Sequence, residues 1–497
     1  MSVQDGGAAV AGSAGSSSRR LGLVTVIATF GGLLFGCNTG VTNGALEPLR
    51  SQFGLTPFTE GFVTSILLVG AAIGAVIGGR LSDRLGRRRN ILLLAVVFAI
   101  GTVGCASAPS WQVLAAFRFI LGLAVGGAST TVPVYLAEIS PVERRGSLVT
   151  RNELAIVSGQ FAAFVINAII YSVWGNKIMV GGTEVYAHPD IWRWMFLVTV
   201  APAFVLFFGM LRMPESPRWL FEHGFDVEAF DVLRQVRSPG RAQTEFDDLR
   251  ELVQIEQARA KQAVGWAALK VGWIRRLVFI GIGIAVTQQL TGINSVMYYG
   301  TELLQKAGFA SNVAIIANTA NGVVAVTGCV VGMAIMNRVN RRTMMTFGYA
   351  GMLLMHLSIG LSDKLLPAGW GGKPVVVMVC VVLFVLIMQA TAGPLCWLLL
   401  SEIFPLKIRG FGYGISAFMG WMTNFTVAML FPTLMGSVGI GNTYFVFAAL
   451  AAVSLVFIRR WVPETRGKSL EQLEEEFMGA APPDSQEPDT QEKEAAF

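Results

Sequence analysis

The chain has 497 residues, of which 53% are hydrophobic and 14% are charged. Because soluble domains carry about 25% charged residues, this composition excludes an ordinary water-soluble enzyme and predicts a membrane-embedded protein. The net charge of +6 is distributed between apolar blocks, as basic cytoplasmic loops would place it, and not on one basic surface. We therefore expect the lipid bilayer as a partner and no nucleic acid.

Twelve apolar segments are long enough to cross the bilayer, for which a helix needs about 20 mostly apolar residues. In chain order they cover residues 22–44, 61–80, 90–108, 111–136, 150–173, 192–212, 275–300, 312–336, 343–361, 373–400, 411–433 and 440–461. The sequence therefore predicts an all-α membrane protein with twelve transmembrane helices.

Basic residues on the connections predict the orientation in the cell membrane. Residues 80–89, between the second and third spans, include five arginines, and a second basic pair at 144–145 follows the fourth span. Lys and Arg concentrate in cytoplasmic loops. These connections are therefore expected in the cytoplasm, and both termini with them, because the number of spans is even.

The spans and connections divide the chain into five parts. They are a disordered N-terminus at 1–20, a six-helix bundle at 21–212, a cytoplasmic loop at 213–272, a second six-helix bundle at 273–461 and a cytoplasmic tail at 462–497. Within the loop, 225–236 and 246–261 have the pattern of short amphipathic helices. The acidic, proline-containing tail is expected to be disordered beyond about Phe477.

An internal repeat relates the two bundles. The pattern E-I-x-P-x-x-x-R-G begins at Glu138 and again at Glu402, and a Pro-Glu pair occurs at Pro214 and again at Pro463. The copies lie about half the chain length apart. Two parallel halves with a site between them are a transporter architecture.

The loop motif Gly79-x-x-x-Asp83-Arg84-x-Gly86-Arg87-Arg88 resembles that of the major facilitator superfamily. In it, Asp83 is expected to cap a helix start and pair with a nearby arginine, and Gly86 to allow a tight turn. Further motifs resemble, in order, those of the sugar porter family: Gly31-Gly-Leu-Leu-Phe-Gly36, Pro214-Glu-Ser-Pro-Arg218, Gln288-Gln289-x-x-Gly292-Ile-Asn294, Gly393-Pro-x-x-Trp397 and Pro463-Glu-Thr-Arg-Gly467. Residues 151–170 look most like bacterial inositol and sugar transporters.

This resemblance covers about residues 20–477. It implies the major facilitator fold and a carrier of a hexose, a pentose or myo-inositol that works by alternating access. No cofactor is expected, and the five cysteines, which lie in apolar stretches without a CxxC pair, indicate no metal site.

The fifth span carries a polar stripe. Glu153, Gln160 and Asn167 recur every seven residues and so share one helix face. Such a stripe should face the bundle interior or a water-filled cavity, although hydrogen bonds that only join helices would also explain it. The resemblance implies that Gln160 and the position of Glu153 contact sugar. A carboxylate at Glu153 could accept two hydroxyls or carry a proton.

The seventh span carries Gln288, Gln289 and Asn294, which an ideal helix would not place on one face. A break at Thr291-Gly292 would allow them to meet. The resemblance implies that all three bind sugar hydroxyls, for which amides offer both donors and acceptors. It implies the same role for Asn318, Trp397, Trp421 and Asn424, with plain packing as the alternative for Trp397.

Acidic and basic residues recur at the predicted cytoplasmic ends of both halves. They are Asp83, Arg84, Arg87, Arg88, Glu138, Arg145, Glu215, Arg218, Glu402, Arg409, Glu464 and Arg466. Exposed ion pairs by themselves contribute little to stability. Their duplicated placement favours the role that the resemblance implies, a charge network that closes the inner face when the outer face is open.

Asn38 concerns the coupling of transport to protons. By resemblance, proton-coupled sugar porters have an Asp at this position, opposite an Arg that matches Arg118. An asparagine cannot release and rebind a proton, which favours facilitated diffusion. Proton symport with Glu153 as the titrating group is the alternative.

Other classes of protein fit the sequence less well. A non-transporting sugar sensor and an export carrier are the alternatives within the fold. An enzyme is not expected, because the three histidines lie in no recognisable catalytic constellation.

Overall fold

The computed structural model describes residues 5–141, 145–180, 183–237, 240–248, 250, 266–336, 338–367, 370–405, 408–468, 472 and 477. Residues 5–19, 145–150, 180, 183, 184, 267, 268 and 409 are described by their backbone alone. Twelve helical stretches in this part of the chain are long and apolar enough to cross a membrane. The predicted all-α, twelve-span architecture is therefore confirmed.

The helices fall into three groups along the chain. The first half contains α1 (Asp5–Phe53), α2 (Pro57–Leu85), α3 (Arg87–Ser107), α4 (Trp111–Ile139), α5 (Arg145–Trp174), α6 (Ile191–Val198) and α7 (Val200–Met210). The connection contains α8 (Pro217–Glu222), α9 (Asp226–Val236), α10 (240–248) and a 3-10 turn (Trp266–Lys270). The second half contains α11 (Gly272–Leu290), α12 (Ile293–Ala307), α13 (Ser311–Ala317), α14 (Thr319–Ile335), α15 (Arg341–Leu365), α16 (Lys373–Ala390), α17 (Ala392–Ile403), α18 (Arg409–Ser437) and α19 (Gly439–Trp461).

Four of the spans are each formed by two consecutive helices: α6 with α7, α11 with α12, α13 with α14, and α16 with α17. The seventh span breaks between α11 and α12, where Gly292 has φ +77°. Residues with a side chain rarely adopt this left-handed backbone conformation, so glycine suits the position. The break that the sequence predicted at Thr291-Gly292 is therefore present.

Glycines allow close contact between α2 and α4. A Cβ atom added at Gly70 would lie 2.3 Å from the Phe119 carbonyl oxygen, and one at Gly74 would lie 2.3 Å from that of Leu123. Small faces of this kind let membrane helices approach until their backbones touch. A larger residue at either position would push the two helices apart.

The two halves pack together through α2 against α18, α5 against α14, and α1 against α12. We call one membrane face the hairpin face, because β1 (Lys177–Val180) pairs there with β2 (Thr183–Tyr186) in an antiparallel hairpin after α5. The opposite face, at which α2 ends and α3 begins and from which α8 to α10 extend, is called the terminal face.

The parts outside the spans differ in places from the expectation. Residues 5–20, for which the sequence predicts disorder, are helical here and continue α1. A helix is present at the predicted 225–236, as α9. Of the second predicted loop helix, residues 251–261 lie outside the described residues, as does nearly all of the tail beyond 468.

Candidate functional site

Three amide side chains form a hydrogen-bonded chain at the break of the seventh span. Asn294 Nδ2 donates to Gln289 Oε1 over 2.7 Å, and Gln289 Nε2 donates to Gln288 Oε1 over 2.5 Å. Gln288 and Gln289 are buried at the end of α11, whereas Asn294 is half-buried in the first turn of α12. The break at Gly292 thus brings together residues that a continuous helix would keep on different faces.

The polar residues of the fifth span differ in their contacts. Asn167 Nδ2 donates to the Gly40 carbonyl of α1 over 2.9 Å, which joins two helices of the first half. Gln160, two turns away, is buried, and its Oε1 atom has no hydrogen-bond partner among the described residues. The Nδ2 atom of Asn167 therefore fits the helix-joining alternative, whereas the Oδ1 atom of Asn167 and the Oε1 atom of Gln160 are both buried acceptors without a partner among the described residues.

Glu153, near the start of the fifth span, is half-buried. The helix that carries it, α5, packs against α14 of the second half. Among the described residues, no Lys or Arg side chain forms an ion pair with it. Glu153 is therefore a carboxylate between the halves that can accept hydrogen bonds or a proton.

Two tryptophans of the second half, Trp397 and Trp421, were also predicted to contact sugar. The Trp421 ring meets Phe35 of α1 edge-on at 5.5 Å, a contact between the two halves. Trp397 is half-buried, with its ring 6.3 Å from that of Tyr413. Asn424, one turn from Trp421, is buried, and its Oδ1 has no partner among the described residues.

Asn318 lies where α13 and α14 meet. Its Oδ1 accepts a hydrogen bond of 2.9 Å from Asn321 Nδ2. A Cβ atom added at Gly300 of α12 would lie 2.3 Å from Asn318 Oδ1 and 3.2 Å from Asn43 Nδ2 of α1. Asn318 therefore lies next to a contact between the halves.

Gln389 is a candidate that the sequence analysis did not single out. It is buried at the end of α16, and its Oε1 lies where a Cβ added at Gly393 would approach within 2.7 Å. A lone amide in an apolar run directly before a helix break was the signal that could have identified it.

Asn38 and Arg118 are both buried but are not bonded to each other. Arg118 donates from Nη1 to Thr42 Oγ1 over 2.9 Å and from Nη2 to the Thr64 carbonyl over 3.0 Å. Thr42 Oγ1 in turn donates to the Asn38 carbonyl over 2.9 Å. Neither side-chain amide atom of Asn38 has a partner in the described part of the chain, and no carboxylate there pairs with Arg118.

At the terminal face of the first half, Glu138 pairs with Arg87. Arg87 Nε and Nη2 each donate to a different Glu138 oxygen over 2.9 Å, and Ser216 Oγ also donates to Glu138. Glu215 accepts the backbone N–H of Arg88 at 2.9 Å and so caps the start of α3. A carboxylate is favourable at this position because the N-terminus of a helix carries partial positive charge.

The second half repeats this arrangement. Arg341 Nη2 lies 3.5 Å from Glu402 Oε1, and Thr465 Oγ1 donates to Glu402. Glu464 accepts the backbone N–H groups of Arg341 and Arg342 at 2.9 Å and 3.0 Å, which caps the start of α15. The sequence repeat is thus also a repeat of contacts.

The remaining residues of the predicted network are arranged less simply. Asp83 does not cap a helix start, because it lies in the last turn of α2; it pairs with Arg87 over 3.2 Å. Arg84 is exposed. Arg218 pairs with Glu222 over 2.9 Å, and Arg466 Nη1 donates to the Arg338 carbonyl over 2.7 Å. The side chains of Arg145 and Arg409 lie outside those that the structure describes.

Charged residues at the hairpin face join the two halves, and the sequence analysis did not predict them. Arg50 Nη2 of α1 lies 2.6 Å from Glu60 Oε2 of α2 and 2.8 Å from Glu302 Oε1 of α12. We call these three residues the hairpin-face bridge. Both carboxylates are buried, and Lys306 Nζ lies 3.2 Å from Glu302.

Asn43, about two turns of α1 before Arg50, also joins α1 to α12. Its Nδ2 donates to the Met297 carbonyl over 2.8 Å, and its Oδ1 accepts from Thr301 Oγ1 over 2.6 Å and from the Thr301 N–H over 3.1 Å. The α12 helix is therefore held against α1 at the hairpin face.

Comparison with known proteins agrees with this architecture. The family model described as "Sugar (and other) transporter" matches residues 24–477. The chain is 48% identical over 469 residues to the major myo-inositol transporter IolT of Bacillus subtilis, a match that covers 93% of this chain and 95% of the relative.

Two solved structures of the xylose transporter XylE from Escherichia coli have similar folds. The partially occluded inward-open form has a TM-score of 0.76 at 26% identity, and the match covers 89% of this chain and 100% of the other. The second structure is described as the proton:xylose symporter XylE bound to 6-bromo-6-deoxy-D-glucose. It has a TM-score of 0.76 at 29% identity, and the match covers 93% of this chain and 100% of the other.

The fold and the site define a multi-pass plasma-membrane transporter with the major facilitator fold. The chain belongs to the sugar transporter family, the sugar porters of that superfamily. It is a transporter and not an enzyme. The sensor alternative finds no support, because these relatives are all named as transporters or symporters.

Proposed function

We propose that this transporter carries a polyhydroxylated ring across the membrane, with myo-inositol as the first candidate. The observation that carries the proposal is the amide chain of Gln288, Gln289 and Asn294 at the broken seventh span. The 48% identity to a myo-inositol transporter supports the choice of first substrate.

The chemistry of the surrounding side chains suits a hydroxylated ring. Each hydroxyl both donates and accepts a hydrogen bond, as does each amide. Gln160 Oε1 and Asn424 Oδ1 are buried acceptors without a partner among the described residues, and a bound hydroxyl would remove the cost of leaving them unpaired. Trp397 and Trp421 offer apolar faces to the C–H side of the ring.

We infer that the terminal face is cytoplasmic, with both termini there. The arginines of residues 80–89 support this orientation through the positive-inside rule. The ion pair between Arg50 and Glu302 joins the halves at the hairpin face, which supports a conformation that is closed on that face. Transport then requires the halves to rock until the hairpin face opens.

We propose facilitated diffusion as the mode of transport. Asn38 carries no titratable proton, and Arg118 bonds to Thr42 and to a backbone carbonyl rather than to a carboxylate. Proton symport through Glu153 is the second candidate, since this half-buried carboxylate is on α5, which packs against the second half, and has no ion-pair partner among the described residues. The likeness to a proton:xylose symporter gives that candidate its weight.

Purified protein in sealed liposomes tests both candidates. Uptake of labelled myo-inositol, D-xylose and D-glucose is followed with and without an inward proton gradient. We expect uptake of myo-inositol that reaches equilibrium and ignores the gradient. Accumulation driven by protons would instead support symport, and Glu153→Gln should then abolish accumulation but preserve exchange. If none of the three compounds enters, the proposed function is wrong.

Gln289→Ala should weaken substrate binding strongly. The change removes the middle of the amide chain and leaves Gln288 and Asn294 without their shared partner. Loss of about two hydrogen bonds corresponds to a rise in KM of at least about tenfold. Gln243→Ala, on exposed α10, is the matched control and should leave uptake unchanged. An unaltered KM in Gln289→Ala would remove the seventh span from the site.

A further inference from the structure

His356 of α15 lies directly behind the break of the seventh span. It is fully buried, and its Nε2 atom is 3.0 Å from the Thr291 carbonyl oxygen. In a continuous helix that carbonyl would accept the N–H group four residues later, that of Ser295. The Ser295 N–H instead donates to the Gly292 carbonyl over 3.0 Å. The break therefore frees the Thr291 carbonyl, and His356 takes it.

The tautomer of His356 follows from this contact. A carbonyl oxygen can only accept a hydrogen bond, so Nε2 must carry the proton. The Nδ1 atom has no partner among the described residues. The imidazole ring thus makes one directional hydrogen bond, and that bond ends on the backbone of the break.

Aromatic rings hold the imidazole in place. Its centroid is 4.5 Å from that of Phe384, 5.6 Å from that of Tyr444 and 5.8 Å from that of Phe447. Phe447 also touches the break itself, since a Cβ atom added at Gly292 would lie 2.9 Å from its ring. Phe384, Tyr444 and Phe447 thus form an aromatic cage around His356, and this cage also contacts Gly292, the residue after Thr291.

The break positions the amide chain. Thr291 Oγ1 donates to the Gln288 carbonyl over 2.7 Å, so Thr291 links His356 to the residue that begins the chain. Asn294 follows on the other side of Gly292. A change in the Thr291 peptide would therefore move Gln288 and Asn294 relative to each other.

We propose that His356 is a positioning residue for substrate binding, which holds the Thr291 carbonyl and so fixes the geometry of Gln288, Gln289 and Asn294. This inference rests on the proposed polyol site, in which those three amides bind hydroxyls. His356 itself does not contact the substrate.

Uptake kinetics in proteoliposomes test the inference. His356→Leu keeps the volume but removes the donor, and should raise the KM for myo-inositol about tenfold. His356→Gln places an amide N–H where Nε2 lies, and should keep the KM within about threefold of the original. Tyr444→Phe is the matched control. It removes a hydroxyl of the same cage that has no partner among the described residues, and it should leave the KM unchanged.

A double variant separates positioning from general packing. If His356 acts through the amide chain, His356→Leu combined with Gln289→Ala should bind no more weakly than Gln289→Ala alone. Multiplied effects, or a normal KM in His356→Leu, would overturn the inference. Wild-type protein that carries no polyol would instead refute the proposed function.

Hydrogen exchange provides a readout that needs no substrate. Backbone amides in a peptide covering residues 286–297 should exchange faster in His356→Leu than in the original protein, and His356→Gln should restore the slow rate. Equal rates in all three proteins would overturn the role of His356 at the break, whatever the substrate is.

Discussion

The two membrane faces use charged residues differently. At the hairpin face, Arg50 of the first half pairs with Glu302 of the second, and Gln305 Nε2 of the second half donates to Glu47 Oε2 of the first over 2.6 Å. At the terminal face, Arg87 pairs with Glu138 within the first half, and Arg341 pairs with Glu402 within the second.

This difference separates contacts that must break during transport from contacts that can persist throughout it. A bond between the halves must break when that face opens, so its strength sets the balance between the two conformations. A bond inside one half can persist while the half moves as a rigid body. The sequence analysis expected the terminal-face residues to close that face when the opposite face is open, and this stays a prediction. In this structure the hairpin-face bridge joins the halves, and Arg87–Glu138 and Arg341–Glu402 each lie within one half.

The largest expected effect follows from breaking the pair within the first half. Glu138→Ala leaves the buried Arg87 without its two-point partner, which should lower the free energy of unfolding by about 3 kcal/mol. The midpoint of thermal unfolding in detergent measures this loss. Wild-type stability would show that the pair does not hold the first half together.

A smaller effect, on conformation rather than folding, is expected at the hairpin-face bridge. Glu302→Gln removes the charge that Arg50 meets from the other half, and should shift the balance toward the open hairpin face by about tenfold, or about 1.4 kcal/mol. In right-side-out vesicles the Kd for external substrate should fall accordingly.

Asp190→Asn is the control for that experiment. Asp190 lies at the same face but pairs with Arg193 of its own half over 2.7 Å, so its Kd should not change. A shift of equal size in both variants would mean that surface charge, and not the contact between halves, determines the balance.

The smallest effect is expected in the second half. The Arg341–Glu402 contact is longer, at 3.5 Å, and the Glu402 side chain is 27% exposed. Glu402→Ala should therefore lower the free energy of unfolding by about 1 kcal/mol. The same thermal measurement compares it with Glu138→Ala. Equal losses in the two variants would contradict the asymmetry between the halves.

Patterns within one helix predicted much of the fold. The apolar runs predicted all twelve spans, and Thr291-Gly292 predicted the break that lets Gln289 and Asn294 meet. The repeated motifs predicted equivalent residues such as Glu138 and Glu402. Span length and glycine conformation are properties of a short segment, and the repeat is visible because its two copies have the same residue spacing.

Contacts between distant segments were not predictable in this way. Glu302 is far from Arg50 in sequence, and only the packing of α12 on α1 brings them together. Likewise, Glu215 caps α3 from beyond the sixth span, a role that the sequence analysis assigned to Asp83. The function of Asn167 was open for the same reason, because a polar stripe does not reveal which residues meet a neighbouring helix.

Distances between spin labels on the two faces test the central claim most directly. One pair, Ser51→Cys with Ser437→Cys, spans the hairpin face, and another, Arg84→Cys with Thr343→Cys, spans the terminal face, each in a background without the five native cysteines. The account predicts that Glu302→Gln lengthens the first distance and shortens the second in the same fraction of molecules. Two unchanged distances, or a change of both in the same direction, would contradict alternating access controlled by the hairpin-face bridge.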